Sequence, residues 1–423
     1  MSREMKHSGI PWIGEIPKEW KELRFKYAGI MQKGKLPAET NVDGIGEPII
    51  GASEMLGKPF RQYSTDSDVP KCKHSDIIIL WDGANAGIVA NKLCGIVSST
   101  AVCYSCTDCK CDSSYVFYLF KGVERYFRDK VFGTTIPHMN SSYIDDVPLL
   151  LPPLSEQQKI ASYLDKKCSE IDEMVVLQEK IIEELKAYKQ SVITEAVTKG
   201  LNPDVPMKDS GIEWIGEIPE SWEVCRMKNV AELFGRIGFR GYTSEDLNKD
   251  GEGAITLSPS NMLPMGMDYS NVTYLSWFKY HESPEIKIQN GDILMVKTGS
   301  SYGKVSYVED LPKEATINPQ ILRIVSKINS KYLGYYMQTT FFTYQVEGSV
   351  VGGTIPTISQ EKIYNFYVLL PPLSEQQSIA SYLDEKCSEI DNLISIKQSK
   401  IESLKEYKKS IIYEYVTGKK EVI

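Results

Sequence analysis

Basic and aromatic side chains recur on glycine-rich loops in both halves of this 423-residue chain. They are Lys33, Lys35, Arg236, Arg240, Tyr302 and Lys304. Cations on such loops can approach phosphates and base edges closely, so their chemistry suits contacts of both kinds. A single lysine or arginine on a loop is more often a solvated surface charge. Recurrence at parallel places in the two halves nevertheless favours a binding role.

Two stretches of small and polar residues also repeat between the halves. SDIIILWDGANAG (75–87) parallels GDILMVKTGSSYG (291–303), and GTTIPHMN (133–140) parallels GGTIPTIS (352–359). The first pair has the pattern of a strand that ends in a loop. We expect these loops to contact the same ligand as the basic ones. The polar side chains that they contribute are Asn85, Thr134, Thr135, His138, Asn140, Ser301, Thr354 and Thr357.

The catalytic motifs that could explain these loops are incomplete. Thr298–Lys304 resembles a phosphate-binding loop, but that motif needs a glycine where this chain has Thr298. No GxGxxG opens a helix after a strand, no HExxH is present, and the 4 histidines form no convincing cluster. The sequence therefore indicates no catalytic residue in this chain.

Four of the nine cysteines lie close together in CYSCTDCKC, at positions 103, 106, 109 and 111. Thiolates at this spacing can share a zinc ion, which makes a metal site one alternative. The corresponding stretch of the second half has no cysteine, and residues three apart on a strand face opposite sides of the sheet. We therefore expect structural thiols and no bound metal. Unevenly spaced cysteines without an apolar leader sequence also favour reduced thiols in a cytoplasm.

The elements that must position these loops are two similar blocks, Leu151–Thr198 and Leu370–Thr417, in which about two-thirds of the positions are identical. Each opens with LPPLSEQQ, in which the serine suits a helix N-cap and the acidic and amide side chains suit a first turn. Apolar residues follow at coiled-coil spacing, which predicts a helix of roughly 66 Å in each block. We expect the two helices to pack against each other. The seam residues are Ile160, Leu164, Ile171, Leu185, Tyr188, Ile379, Leu383, Ile390, Leu404 and Tyr407.

A shorter repeat precedes each half, as MKHSGIPWIGEIPKEW (5–20) and MKDSGIEWIGEIPESW (207–222). The predicted domains are the N-terminal motif (1–20), a first variable domain (21–150), the first long helix (151–200), a linker with the second motif (201–222), a second variable domain (223–369) and the second long helix (370–423). Short β-type runs and short helices in both variable regions predict an α+β fold with a pseudo-twofold internal repeat. The variable domains have diverged while the frame has not, which favours two readers of different specificity.

The composition is that of a soluble globular protein, with 42% hydrophobic and 25% charged residues. No run reaches the roughly 18 apolar residues of a membrane span, so no membrane partner is expected. The net charge of −8 argues mildly against nucleic acid if taken alone. Binding depends on local basic patches, however, and partner subunits can supply more of them.

Over its whole length the chain resembles the specificity subunits of type I restriction–modification systems. The resemblance rests on the two LPPLSEQQ blocks, the two WIGEIP motifs and the variable domain ahead of each helix. It implies that each variable region is a target recognition domain for one half of a split double-stranded DNA sequence. It also implies that the long helices pair antiparallel as a spacer and recruit two methyltransferase (modification) subunits, with restriction subunits joining that complex.

The resemblance further implies that this chain is not the catalyst. Adenine-N6 methylation would use S-adenosylmethionine held by the modification subunit, and ATP and Mg would belong to the restriction subunit. Consistently, both Pro-Pro pairs in the repeated blocks precede leucine rather than the aromatic residue of the methyltransferase signature. Two alternatives stay open. One is a coiled-coil scaffold whose variable domains bind proteins, and the other is a nuclease or methyltransferase with its own active site.

Overall fold

The computed structural model describes residues 3–10, 13–128, 138–139, 148–236, 238–248, 251–350 and 356–422. The chain forms two compact units. Unit 1 comprises Met1–Lys180 and Lys397–Ile423, and unit 2 comprises Ile181–Ile396. Each unit combines a mixed α/β body with parts of both long helices, which confirms the predicted α+β fold class.

The described strands of unit 1 are β1 (Met5–His7), β2 (Glu15–Pro17), β3 (Lys21–Arg24), β4 (Gly29–Lys33), β5 (Glu47–Ile50), β6 (Tyr63–Ser64), β7 (Lys71–Cys72), β8 (Ile77–Leu80), β9 (Val89–Asn91), β10 (Gly95–Val97), β11 (Ala101–Cys106) and β12 (Pro148–Leu151). Two four-stranded sheets form the body, with the orders β6-β5-β10-β7 and β4-β11-β8-β9. All four residues of β8 are buried, as its unbroken apolar run predicts. The described part of the body also contains the helices α1 (Ala52–Met55) and α2 (Ser113–Arg128).

The first long helix, α3, runs from Leu154 to Lys199. Its start is fixed by Gln157, whose side-chain amide donates to the carbonyl oxygens of Pro152 at 2.9 Å and Lys110 at 2.8 Å. Ser155, which the sequence suggests as the N-cap, lies one residue inside the helix, because the backbone turns immediately after Pro153. The proline pair thus ends the preceding strand, and the helix starts directly after it.

The described strands of unit 2 are β13 (Met207–Asp209), β14 (Glu217–Pro219), β15 (Glu223–Arg226), β16 (Ala231–Gly235), β17 (Leu247–Asn248), β18 (Ala254–Leu257), β19 (Met262–Leu263), β20 (Gly266–Met267), β21 (Thr273–Leu275), β22 (Ile293–Val296), β23 (Val305–Tyr307), β24 (Ala315–Ile317), β25 (Ile321–Ser326) and β26 (Tyr367–Leu370). Its helices are α4 (Met227–Val230), α5 (Trp277–His281), α6 (Ser330–Tyr336), α7 (Thr340–Glu347) and α8 (Gln360–Tyr364), followed by the second long helix, α9 (Leu373–Val416). The sheet order β16-β25-β22-β23 repeats the order β4-β11-β8-β9 of unit 1.

Each unit contains its own antiparallel pair of long-helix segments. In unit 1 the Tyr163 and Tyr415 ring centres lie 4.6 Å apart, and Lys408 Nζ donates to Asp172 Oδ2 at 2.6 Å. In unit 2, Lys189 Nζ donates to Asp391 Oδ2 at 2.6 Å. In unit 1 the Lys408–Asp172 contact lies later along α3 and earlier along α9 than the Tyr163–Tyr415 contact. The two helix segments therefore run in opposite directions.

The seam between the helices follows most of the predicted positions. Buried members are Ile160, Leu164, Ile171, Ile379, Leu383 and Ile390, while Leu185 and Leu404 are half-buried. Tyr188 and Tyr407 are 58% and 54% exposed, so these two are not buried as the other predicted seam residues are. A straight helix has 3.6 residues per turn and drifts from a 3.5-residue seam, and the buried face passes to Ile182 and Val192 instead.

Candidate functional site

The same loop follows the central strand of corresponding sheets in both units. Gly87 N donates to Leu80 O at 2.8 Å in unit 1, and Gly303 N donates to Val296 O at 2.8 Å in unit 2. The two glycines have φ values of 93° and 81°, a region that residues with a Cβ rarely adopt. The backbone therefore fixes the shape of each loop, while the side chains between its ends can differ.

A second segment lies beside each of these loops. Isolated bridges join Asp82 to His138 in unit 1 and Thr298 to Thr357 in unit 2. The next residue makes the matching backbone bond in both units, since Met139 N donates to Trp81 O at 3.0 Å and Ile358 N donates to Lys297 O at 2.9 Å. The parallel between residues 133–140 and 352–359 in the sequence thus corresponds to a shared geometry at His138 and Thr357.

A third segment completes the surface on the other side of the strand-end loop. Trp81 N donates to Thr100 O at 2.8 Å, and Lys297 N donates to Gln320 O at 2.8 Å. In unit 1 the segment 98–100 also lies against Gly34, because a Cβ on Gly34 would come within 2.1 Å of Ser98 O. We call the three segments with the adjoining strand end the loop platform. In unit 1 the loop platform comprises residues 33–35, 82–87, 98–100 and 138. In unit 2 it comprises residues 235–236, 298–303, 318–320 and 357. Trp81 and Lys297 connect the central strands to these strand-end loops.

Charged groups on the platform of unit 1 neutralise one another. Asp82 accepts from Lys33 Nζ at 2.7 Å and lies 2.7 Å from His138 Nδ1. Burial alone would raise the pKa of the Asp82 carboxyl, but the hydrogen bonds from Lys33 and His138 outweigh it and hold the pKa below its usual value. Lys33 Nζ also lies 5.6 Å from the centre of the Trp81 ring. This platform therefore offers a tied lysine, an exposed imidazole and an indole.

The basic residues of unit 2 are engaged differently from what the sequence suggests. Arg236 is only 6% exposed, and its guanidinium donates to Ile317 O at 3.2 Å and to Thr316 Oγ1 at 3.1 Å. It therefore ties the end of β16 to β24 instead of extending into solvent. Arg240 pairs with Glu285 at 3.4 Å and Lys304 Nζ donates to Pro259 O at 3.1 Å, which leaves both side chains half-buried at the edge of the platform.

The remaining predicted side chains divide into three groups. Lys35 and Ser301 are exposed, and Asn85, Tyr302 and Thr357 are half-buried on their platforms. Thr134, Thr135, Asn140 and Thr354 lie outside the described residues. Sequence reasoning also missed platform residues, namely Trp81, Asp82, Lys297, Asn318 and Gln320. Residue-by-residue comparison of the two strand-end repeats would have identified the first three, whereas the others lie in loops with no sequence likeness between the halves.

Equivalent hydrogen bonds attach each body to its long helices. Tyr118 Oη donates to Asp165 at 2.7 Å in unit 1, and Tyr335 Oη donates to Asp384 at 2.8 Å in unit 2. The buried indoles do the same at the helix starts, where Trp20 Nε1 donates to Glu156 at 3.3 Å and Trp222 Nε1 donates to Glu375 at 3.0 Å. The tryptophans and the four carboxylates fall in the repeated parts of the chain, whereas Tyr118 and Tyr335 lie in the variable domains.

The cysteine cluster does not converge on one point. Cys103 packs in a core with Ile78 and Val97, whereas Cys106 and Cys111 pack against the core on the other side of the sheet. Among the described residues, no group of three or more histidine, cysteine, aspartate or glutamate side chains is arranged to hold a metal ion. None of the helices in the described part of the chain combines the length and apolar content that a membrane span requires.

Comparison with known proteins gives the family. Residues 17–187 and 219–406 match the family described as "Type I restriction modification DNA specificity domain". The chain belongs to this family. As a specificity subunit it carries two such domains, and each matched range contains one loop platform.

Relatives and solved structures agree with this family. The chain is 29% identical to the type I restriction enzyme MjaVIII specificity subunit of Methanocaldococcus jannaschii, over 96% of this chain and 93% of the relative. It is 20% identical to the EcoDI specificity subunit of Escherichia coli, over 90% and 84% of the two chains. Its fold is similar to a chain from a structure of complex assembly in the type I R-M system, with a TM-score of 0.71, 16% identity, and coverage of 95% and 98%. The HsdS subunit from Thermoanaerobacter tengcongensis follows with a TM-score of 0.51, 16% identity, and the same coverage.

Proposed function

We propose that this specificity subunit reads a bipartite, asymmetric double-stranded DNA sequence, with one half contacted by each loop platform. One observation carries the proposal. The two platforms share their backbone hydrogen bonds but differ in the side chains that they present. Unit 1 has Asp82 and His138 at the positions where unit 2 has Thr298 and Thr357. A common frame with different donors and acceptors suits recognition of two different base sequences.

The long helices suit a second role, the recruitment of two modification subunits. Met174 and Leu177 in unit 1 are exposed, and so are the equivalent Leu393 and Ile396 in unit 2. Apolar side chains exposed at equivalent places suit two copies of one partner. On this proposal the modification subunits carry S-adenosylmethionine and methylate adenine N6. Restriction subunits with ATP and Mg join the complex, and this chain contributes recognition without catalysis.

The test is selection of DNA by the full-length chain mixed with its modification subunit. Duplexes from a randomised pool are bound, recovered and sequenced, and we expect a motif of two short half-sites separated by an unread gap. Replacing residues 21–150 with the equivalent region of a relative should change one half-site and leave the other intact. A complex that binds duplexes without any sequence preference would contradict the proposal and favour the scaffold alternative.

A further inference from the structure

Each platform carries one lysine within a pair of equivalent positions, but the lysine stands at a different position of the pair in each unit. Strand register makes Lys33 equivalent to Gly235, because Lys33 pairs with Val102 in β11 and Gly235 pairs with Leu322 in β25. The last residues of the central strands are equivalent by the same register, since Leu80 pairs with Ala101 in β11 and Val296 pairs with Ile321 in β25. The next residues, Trp81 and Lys297, are therefore equivalent as well. Unit 1 has lysine and tryptophan at these two positions, whereas unit 2 has glycine and lysine.

In unit 2 the amine of Lys297 lies beside the position that Lys33 occupies in unit 1. A Cβ built on Gly235 would lie 3.2 Å from Lys297 Nζ, so the ammonium of Lys297 occupies the space beside position 235. In unit 1 the side chain of Lys33 starts from that position and lies near Trp81. A side chain at position 235 would compete with Lys297 Nζ for this space, and its Cβ would also come within 2.9 Å of Leu322 Cδ2.

The two amines differ in their partners. Lys33 is neutralised by Asp82 at 2.7 Å, but unit 2 has Thr298 at the position of Asp82. Lys297 is half-buried, and burial lowers the pKa of its ammonium with no opposing contribution from a carboxylate. Within the described part of the chain, no hydrogen bond or ion pair engages its Nζ atom. A half-buried cation in this state lacks the acceptor that would compensate for its lost hydration.

We infer that Lys297 is a specificity-determining residue of unit 2, which donates from Nζ to acceptor atoms on a base edge in the major groove. The inference rests on the proposed function and adds a residue to it. Guanine presents two adjacent acceptors, N7 and O6, and lysine is among the side chains that bind them. Lys297 is half-buried beside Gly235, at the end of the central strand that leads into the strand-end loop of the platform.

The test compares Lys297→Met with the wild-type chain, each at full length with its modification subunit, in selection from a randomised duplex pool. Methionine keeps much of the side-chain length and removes the donor. We expect the half-site of unit 2 to lose its preference at one position or more, while the half-site of unit 1 stays unchanged. Affinity for the wild-type motif should fall roughly tenfold or more. The thermal unfolding midpoint should not fall, because the substitution removes a charge that the chain does not neutralise.

The matched control is Lys327→Met, which removes an exposed lysine paired with Glu232 at 3.0 Å, at the opposite end of strand β16. It should leave the motif unchanged. The inference is wrong if Lys297→Met selects the wild-type motif with wild-type affinity. It is also wrong if affinity falls equally for all sequences while both half-sites persist, since that result describes a phosphate contact. Should the wild-type complex select no motif at all, the proposed function fails, and this inference fails with it.

Discussion

Lys189 and Asp391 form an ion pair of 2.6 Å across the long helices of unit 2, and their repeat equivalents Lys408 and Asp172 form the same pair at 2.6 Å in unit 1. The carboxylates are mostly exposed, at 57% and 61% of the side chain. Exposed ion pairs gain little net free energy because water and salt screen them. These pairs therefore specify which residues face each other, and the buried seam supplies most of the stability.

Substitutions on one unit should separate these two contributions. Lys189→Met should lower the free energy of unfolding by less than about 1 kcal/mol. Leu383→Ala removes a side chain that is 0% exposed and should lower it by about 2–5 kcal/mol. Tyr188→Ala, at the exposed position nearby, is the control and should change it by at most about 0.5 kcal/mol. Urea unfolding followed by circular dichroism measures all three. A loss at Lys189 as large as that at Leu383 would show that the ion pair, and not the seam, holds the helices together.

The platform of unit 1 should bind DNA more tightly when its carboxylate is removed. Asp82 ties up Lys33 and His138, each at 2.7 Å, so Asp82→Asn frees a cation and removes a negative charge from the surface proposed to face DNA. We expect higher affinity for duplexes of any sequence. The slope of log affinity against log salt concentration should steepen by about 0.9, the value for one additional phosphate contact.

Titration of fluorescent duplexes at several salt concentrations measures this slope. The control is Glu47→Gln, which removes the partner of Lys71 at 2.9 Å in the other sheet of unit 1. It should leave the slope unchanged. Equal or weaker binding by Asp82→Asn would place the Asp82 surface away from DNA.

The sequence predicts the helices and strands of this protein better than it predicts the side-chain contacts of the platforms. Apolar spacing locates both long helices, and the unbroken run IIIL locates β8, because helix and strand periodicities are local properties. The role of Arg236 escapes this reasoning. A cation among glycines resembles an exposed contact residue, yet its acceptors belong to Thr316 and Ile317, which lie far along the chain. Only the tertiary structure brings those oxygens to the guanidinium. The exposure of Tyr188 escapes it too, because helical drift accumulates along a seam.

Cysteine reactivity should follow burial. Cys94 and Cys109 are exposed, whereas Cys72 and Cys103 are buried, and burial raises the pKa of each buried thiol to about 12. The thiolate is the reactive form, so an alkylating reagent at pH 8 should label the exposed pair in the native protein. The buried pair should react only after unfolding. Peptide mass spectrometry before and after denaturation checks this, and rapid native labelling of Cys103 would contradict it.

The same thiols make stability depend on alkaline pH. In the unfolded chain the thiols of Cys72 and Cys103 ionise at about pH 8.5, but the folded state keeps them protonated. The folded pKa is therefore raised, so this contribution to stability is complete below about pH 8.5 and is lost as the pH rises toward the folded value. Cys103→Ala should make the urea midpoint less sensitive to pH between 8 and 10 than it is in the wild-type chain. An identical pH dependence in both proteins would exclude Cys103 as a contributor.

The long helices should set the length of the unread gap in the DNA target. The sequence predicts this spacer role, since the helices are the longest near-identical elements of the chain. The change adds four helix-forming residues to each long helix, after Glu179 and after Gln398, which are equivalent positions in the repeat. Both insertions lie between the residues of the two ion pairs, so the contacts Lys189–Asp391 and Lys408–Asp172 can form as before. Four residues add one turn, about 6 Å, and nearly preserve the facing of the seam.

At about 3.4 Å per base pair, the gap should grow by one or two base pairs while both half-sites stay the same. Sequencing of methylated sites in cells that express the variant with its modification subunit measures the gap. A matched variant has two residues inserted at each of these two positions instead of four. The insertion rotates the seam residues after it by roughly 200° relative to those before it, so this variant should not support methylation at any spacing. If the four-residue variant methylates sites at the original spacing, the distance between the half-sites is set by something other than the helices.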